Sequence, residues 1–492
     1  MLISNLINQE IMKANKWIVP LLMLTMVIFS SCQDYLDFEP ENTIPAEGFF
    51  ETQEHAEQAV NSIYAHFRSW EMVSFAFIIM QEIPSDNAVK GSAVGDASFI
   101  NDFDNFAFTP NQFVLKDYWA GRYRGINKAN QAITNIPDIS MNESLKTRLI
   151  GEAKFLRALL YFDLVRAYGD VPTPLSVPVG PEINFRTPKA KVYEYIEQDL
   201  LDAIAVLPDT YDAANKGRAT AGSAKGLLSK VYLYMERWGD AERMATEIVS
   251  SGKYSLESNF YNVFRVAAEN GPESVFEIQA QQIEGNWGVS FSQHAEVQSV
   301  RGQWGWGFNI PTDDLAAAFD AAGDQIRKAA TILYKGDTTP DGDIIAGVPS
   351  LEGIDGTPRY NGKAYYPPAQ QLFGPYGSGQ NIRVLRFSEI LLIQAEARIR
   401  QGNASGAVEP LKLVRNRVNL PEISSPTLDD VLLERRLELA MEGDRFFDLV
   451  RTGKAASVLA SKGFVAGKHE VFAVPQELID LSEGNLTQNP GY

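Results

Sequence analysis

Cysteine is almost missing from this chain: 492 residues contain one, Cys32. That excludes an intramolecular disulfide framework and any zinc site built on two or more thiolates. Histidine is nearly as scarce, with His55, His66, His294 and His469. No two have metal-ligand spacing; His55 and His66, eleven apart, would be separated by roughly 16 Å of helix rise. Cations are in deficit, 44 Lys and Arg against 62 Asp and Glu, for a formal charge of −18. Phosphate contact needs clustered cations, so general nucleic-acid binding is excluded. No H-E-x-x-H, G-x-S-x-G or phosphate-loop motif occurs. Gly217 to Ser223 comes nearest, but lacks the lysine after Gly222 and reads as a helix start. No cofactor is implied. Long hydrophobic runs are also lacking. The most apolar stretch, Trp17 to Phe29, has 13 residues, where a bilayer span needs about 20.

What is present is an ordinary globular mixture, 45% hydrophobic and 22% charged, with enough apolar surface to offset chain entropy. Lys13 and Lys16 precede the Trp17–Phe29 run, and Ser30, Ser31 and Cys32 follow it. This is the layout of an export signal. Residues 1–31 are therefore expected to be removed, with Met12 as the true start. The lone cysteine at the cleavage point resembles a bacterial lipobox, with Phe29 departing from the usual leucine. Cys32 is then the expected lipid attachment point, since acyl chains anchor a soluble domain to a membrane.

Residues 32–50 are polar with Pro40 and Pro45 and read as a tether. Helices are expected from Thr52 on, over Trp119–Ile136, over Leu145–Tyr168, and after Thr187-Pro188 as N-cap and first helical position. A helix pair at Thr220–Arg237 and Trp238–Ser251 fits tetratricopeptide spacing, with small residues where helices approach. A second pair covers Phe387–Gln401 and Ser405–Val418. A last helix opens at Thr427, with Asp430 completing a capping box, and runs to about Met441. Between the blocks, residues 259–380 are rich in glycine, proline and aromatics, with only a short helix at Thr312–Phe319 and a strand at Val275–Ala280. The expectation is a mainly all-α, tetratricopeptide-type scaffold in two parts, 51–258 and 381–492, interrupted by a loop-rich excursion with a few short strands.

Several motifs in order now carry a resemblance. Asp34-Tyr35-Leu36-Asp37 follows the lipobox. Glu152-Ala153-Lys154-Phe155-Leu156-Arg157-Ala158 leads to Tyr168-Gly169-Asp170-Val171-Pro172. Arg218-Ala219-Thr220 leads to Tyr232-Leu233-Tyr234. Glu434-Arg435-Arg436-Leu437-Glu438 continues to Glu442-Gly443-Asp444-Arg445-Phe446-Phe447-Asp448, and Gln488-Asn489-Pro490-Gly491-Tyr492 closes the chain. This succession resembles the RagB/SusD family of surface nutrient-binding lipoproteins of Bacteroidetes. The resemblance implies a helical-repeat core, a lipid anchor in the outer membrane with the protein facing outward, and a SusC-like TonB-dependent transporter as partner. It implies oligosaccharide cargo, with peptide or another non-glycan nutrient as the alternative.

Sugars present apolar CH faces and rings of hydroxyls, so aromatic walls with a few placed polar groups suit them. The candidates are the loop aromatics Trp287, Trp304, Trp306, Tyr360, Tyr365 and Tyr366, joined by Trp70, Asp86, Asn87 and Asn101. Gln303-Trp304-Gly305-Trp306-Gly307 reads equally as a structural turn with one tryptophan exposed. Glu434, Glu438 and Glu442 fall on one helix face beside Arg435, Arg436 and Arg445. They read as a structural ion-pair network rather than acid–base catalysts, because unpaired buried charge is costly. Asp337, Asp341 and Asp343 crowd a Gly/Pro-rich turn and are candidates for calcium, although EF-hand spacing fails. A surface glycosidase is the remote alternative, and no catalytic motif supports it.

Overall fold

The computed structural model describes residues 49–177, 179–285, 291–348, 356–372 and 377–492. The expected signal, tether and Cys32 lie outside them, as does Trp287. Residues 51–492 form one compact unit. Among the described residues no helix is long and apolar enough to cross a membrane.

The first helix, α1 (Gln53–His66), is capped by Thr52, whose hydroxyl accepts from the His55 amide, and buries Ala56, Ala59, Val60 and Ile63. Two short helices follow, α2 (Trp70–Val73) and α3 (Phe75–Gln81), then strand β1 (Ala88–Gly91). The helix expected from Trp119 starts six residues earlier, as α4 (Phe113–Asn135). Next comes α5 (Glu143–Tyr168), capped by Asn142 and buried on nearly every side beyond Leu149. A helix buried all round belongs inside a core, and its buried charges are paired, Arg157 with Asp199 and Arg166 with Asp163, each at 2.8 Å. Gly169, at φ +71°, ends it.

In α6 (Lys189–Val206) the start differs from expectation: Pro188 is the N-cap. Thr187 is instead held in a backbone bridge to Val171, with its hydroxyl 2.6 Å from that of Thr173. The repeat pair is present as α7 (Ala221–Tyr234) and α8 (Trp238–Ser250), with a Thr220–Ser223 capping box at its head.

The excursion then carries β2 (Ser274–Ile278), α9 (His294–Gln298), β3 (Phe308–Pro311), α10 (Asp313–Ala322), α11 (Gln325–Thr331), β4 (Ile332–Tyr334), β5 (Arg359–Asn361) and β6 (Ile382–Arg386). Scaffold helices resume with α12 (Phe387–Arg400), α13 (Ala404–Asn416), α14 (Leu428–Glu438) and α15 (Arg445–Arg451). The fold is mainly helical with a few short strands. Helices α4 to α8 pack each on the next, and α8 packs directly on α12, which packs on α13 and α14. The stack is thus continuous although the sequence between α8 and α12 leaves it. The excursion is closed at its neck, where β2 and β6 pair antiparallel from Ser274↔Arg386 to Ile278↔Ile382.

Charge fastens this neck. Glu438 lies against Arg386 at 2.8 Å, Arg327 at 3.1 Å, and Arg417. Glu434 takes Arg327 and Arg415, each at 2.6 Å. Arg435 reaches Glu389 and Asp448, each at 2.7 Å. Helix α14 stops at Glu438, short of the expected Met441, which has a left-handed φ of +66°. Glu442 therefore lies in the following turn, not on the helix, yet still meets Arg386 and Lys363 at 2.7 Å each. Most of these groups are buried, with Arg415, Arg417 and Glu442 partly so, so the pairs have largely traded water for their partners, and losing one partner is far costlier than at a surface.

Candidate functional site

One strand pairing makes the site. β1, from the N-terminal helical part, pairs antiparallel with β3 of the excursion: Ala88↔Pro311, Val89↔Ile310 and Gly91↔Phe308. Gly91 (φ +71°) is required here, because a Cβ on it would stand 2.5 Å from the Gly307 carbonyl oxygen. The Ser92 amide donates to that carbonyl at 2.7 Å, and the Trp306 amide donates to the Glu296 carbonyl at 2.9 Å. Trp306 is thereby fixed at the end of β3, beside the short helices α2 and α3.

There it meets aromatics distant in sequence. Its ring centroid is 5.8 Å from that of Trp70 and 6.0 Å from Phe75. Phe75 is T-shaped against Trp70, Phe99 and Phe308, at 5.6, 6.1 and 5.0 Å. Phe99 in turn meets Phe113 at 4.8 Å. Trp70 is 38% exposed and Phe113 50%, so the cluster presents aromatic surface to solvent. Edge-to-face pairs add about 0.5–1.5 kcal/mol each beyond area burial, which holds exposed rings in fixed orientations.

Polar groups stand beside it. The Asp96 carboxylate accepts from the Ser92 hydroxyl at 2.8 Å and from Arg301 at 2.6 Å. The Ser92 hydrogen bond, followed by Arg301, holds Asp96 below the usual carboxylate range. Arg301 packs against Gly307, the residue after Trp306. Lys90 donates to the carbonyls of Ala93 and Asp96 at 2.9 and 2.8 Å, pinning the loop. A flat aromatic face next to a preoriented carboxylate–guanidinium pair can stack a sugar ring and bond its hydroxyls.

Of the sequence candidates, the structure brings Trp70 and Trp306 together. The tyrosine expectations do not hold. Tyr360 and Tyr365 are 0% exposed and Tyr366 is buried. Tyr360 and Tyr365 build an apolar cluster with Val300, Ile310, Leu333 and Ile345, against which Trp304 packs. Their hydroxyls are also committed: Tyr365 donates to Asp343 at 2.5 Å, Tyr366 to the Gln370 carbonyl at 2.8 Å, and Tyr360 accepts from the Val348 amide at 3.2 Å. Trp304 stands T-shaped to Tyr365 at 6.0 Å, half-buried in that cluster.

Asp86 and Asn87 are likewise corrected. Asp86 is gripped by Arg445 through two bonds of 2.7 Å, and the side-chain Oδ1 of buried Asn87 accepts from Arg436 at 2.8 Å. Both secure the scaffold. Asn101 sits on a short helix, Ile100–Asp104, where its carbonyl accepts from Asn105. Asp337, Asp341 and Asp343 do not converge as a calcium site would require. They accept separately from the Tyr334 amide, the Tyr261 hydroxyl and the Tyr365 hydroxyl. Among the described residues no group of three metal-type side chains occurs. Phe75, Phe99, Phe113, Asp96 and Arg301 were missed by sequence reasoning. The one available signal was Phe113, which stands off the buried face of α4 at its first helical position.

A helical-repeat scaffold that displays an aromatic face where an excursion meets its N-terminal part defines a class of binding protein, and comparison with known proteins says which. Residues 34–233 match a family model described as "Starch-binding associating with outer membrane", and residues 272–492 match the SusD family model. A solved "Laminarin binding SusD-like protein" is 31% identical, with a TM-score of 0.79 over 90% of this chain and 100% of that one. The chain belongs to the SusD family. "Surface glycan-binding protein A" of Bacteroides thetaiotaomicron, solved with laminarihexaose, is 25% identical, with a TM-score of 0.77 over 89% and 99% of the two chains. "SusD-like protein P2" of Formosa agariphila is 28% identical over 98% of this chain and 100% of its own length.

Proposed function

We propose that this protein is a non-catalytic surface lipoprotein that binds an oligosaccharide at the outer membrane, anchored through Cys32, and passes it to a SusC-like TonB-dependent transporter. The observation that carries the binding step is the Trp70–Trp306 pair, Trp70 exposed and Trp306 half-buried, built from two distant parts of the chain and flanked by Asp96 and Arg301. Family membership, and the similarity to proteins described as binding laminarin and laminarihexaose, makes a β-glucan the first cargo to test. The buried carboxylates that a hydrolase could use are already held by arginines, which supports binding without turnover.

The test is calorimetry of the exported chain with laminarihexaose and a wider glycan panel, with product analysis after incubation. Saturable binding without new reducing ends is expected, and Trp70→Ala or Trp306→Ala should abolish or greatly weaken it. Hydrolysis, or binding of peptides while every glycan fails, would overturn the reading. Transporter delivery is tested by co-purification from outer membranes, with Cys32→Ala expected to release the protein from the membrane.

A further inference from the structure

Beside the C-terminal end of α1 lies a polar groove separate from the aromatic cluster. One cavity, about 210 Å³, is lined by Lys216, Arg218 and Lys253, and another, about 500 Å³, by Arg68, Gln281 and Gln370. Asn270 lines both, so they adjoin across one side chain. That side chain is fixed: the Asn270 and Gln279 amides exchange two hydrogen bonds, of 2.8 and 3.0 Å. Gly217 lies over Gln279 so closely that a Cβ would come within 2.4 Å of its Cδ.

The charges around the groove are unevenly matched. Its carboxylates have cationic partners: Asp209 has Lys253 at 2.5 Å, and Glu269 and Glu277 have Arg383 at 3.4 and 3.7 Å. Arg218 is paired with Glu152 at 2.9 Å. Arg68 and Lys216 have no carboxylate partner among the described residues. The Arg68 guanidinium makes a single long hydrogen bond, 3.5 Å to the Gln279 carbonyl. Exposed amides, Gln281 and Gln370, and exposed apolar side chains, Val266 and Leu372, share the same walls.

We propose that this groove is a second saccharide subsite, taking a sugar that carries a carboxylate or sulfate against Arg68, with Lys216 supplying positive charge in the adjoining cavity. It rests on the glycan reading above. A guanidinium fork matches the two oxygens of either anion, and Lys216 adds a mobile point charge. The amides suit hydroxyls, and Val266 and Leu372 suit the CH face of a ring. Arg68 is two residues from Trp70, at most about 7 Å between Cα atoms, so one oligosaccharide can engage both places.

The experiment is calorimetry at low salt with hexasaccharides of galacturonate, guluronate and sulfated galactose. Each is run beside its methyl-esterified or desulfated counterpart, and laminarihexaose is included. At least one charged member should bind tenfold or more tightly than its uncharged form, with the preference shrinking as salt rises. Arg68→Gln with Lys216→Gln should remove that preference, while the thermal midpoint stays unchanged. Uronate and sulfate arms show which anion is taken. Equal binding of charged and uncharged forms, or a preference that survives both substitutions, overturns this proposal and leaves the glycan reading standing. Failure of every glycan overturns both.

Discussion

Trp304 and Trp306 are two residues apart and end in different environments. Trp304 turns into the excursion, against Tyr365 and an apolar cluster. Trp306, equally half-buried, leaves that cluster to meet Trp70 and Phe75 from the N-terminal part. The excursion has an interior of its own, and most of its aromatics are spent filling it. Trp306 instead finds ring partners from another region of the chain. The same division holds for charge. At the neck Glu438 is buried against three arginines, whereas Asp96 beside Trp306 is only partly buried and keeps one arginine. At the neck one carboxylate is shared among several cations, and at the rim Asp96 is positioned by one.

The sharpest way to break that contrast is at the neck. Glu438→Ala leaves Arg327, Arg386 and Arg417 facing one another without their shared carboxylate. A loss of about 3–5 kcal/mol is expected, read by urea denaturation, with glycan affinity unchanged while the protein remains folded. A glycan defect larger than the unfolded fraction would mean that neck and rim are not separate.

Glu82 sharpens the contrast from the opposite side, as an interior carboxyl the arginines do not reach. Its Oε1 accepts from the Gly443 amide, while Oε2 has no partner. Burial, opposed by that hydrogen bond and reinforced by the nearby Asp444, pushes its pKa up to about 8. The folded state therefore holds this proton to higher pH than the unfolded chain, which releases it near 4.5. Relative to Glu82→Gln, the native protein should be fully stable below pH 4.5. It should then lose about 1.4 kcal/mol per pH unit between 4.5 and about 8. A stability difference that stays flat across this window would show Glu82 to be ionised in the fold.

At the rim, Trp306→Ala should weaken glycan binding by tenfold or more, about 1.4 kcal/mol, with little change in the denaturation midpoint. Trp304→Ala should do the reverse. If the two variants behave alike, the division of this segment between two aromatic clusters is wrong.

The scaffold was legible because its signals are local. Thr52, Asn142, Thr220 and Thr427 cap helices where short-range chemistry places them. Periodicity marked the apolar faces, and family motifs ordered the whole. The site was legible only in part. Composition pointed to loop aromatics, but exposure is settled by pairings such as β1 with β3, which join residues more than 200 positions apart. Nothing local in Tyr360 or Tyr365 announces the cluster with Val300, Ile310 and Leu333 that buries them, and nothing local in Asp86 announces Arg445. An isolated phenylalanine reads as core, and only the chain of contacts from Phe75 to Phe99 and from Phe99 to Phe113 identifies a face.

The smallest predicted effect tests whether Tyr365 belongs wholly to the interior. Its ring fills the excursion cluster, and its hydroxyl donates to Asp343 at 2.5 Å. Tyr365→Phe keeps the ring and deletes that bond. Asp343 is only half-buried, so water can replace the lost donor, and the net cost should be about 1 kcal/mol rather than a full desolvation penalty. Glycan affinity should not change at all. A drop in affinity without a matching drop in stability would mean that the Tyr365–Asp343 pair reaches the ligand. The excursion would then carry its binding surface on both sides of the segment that holds Trp304 and Trp306.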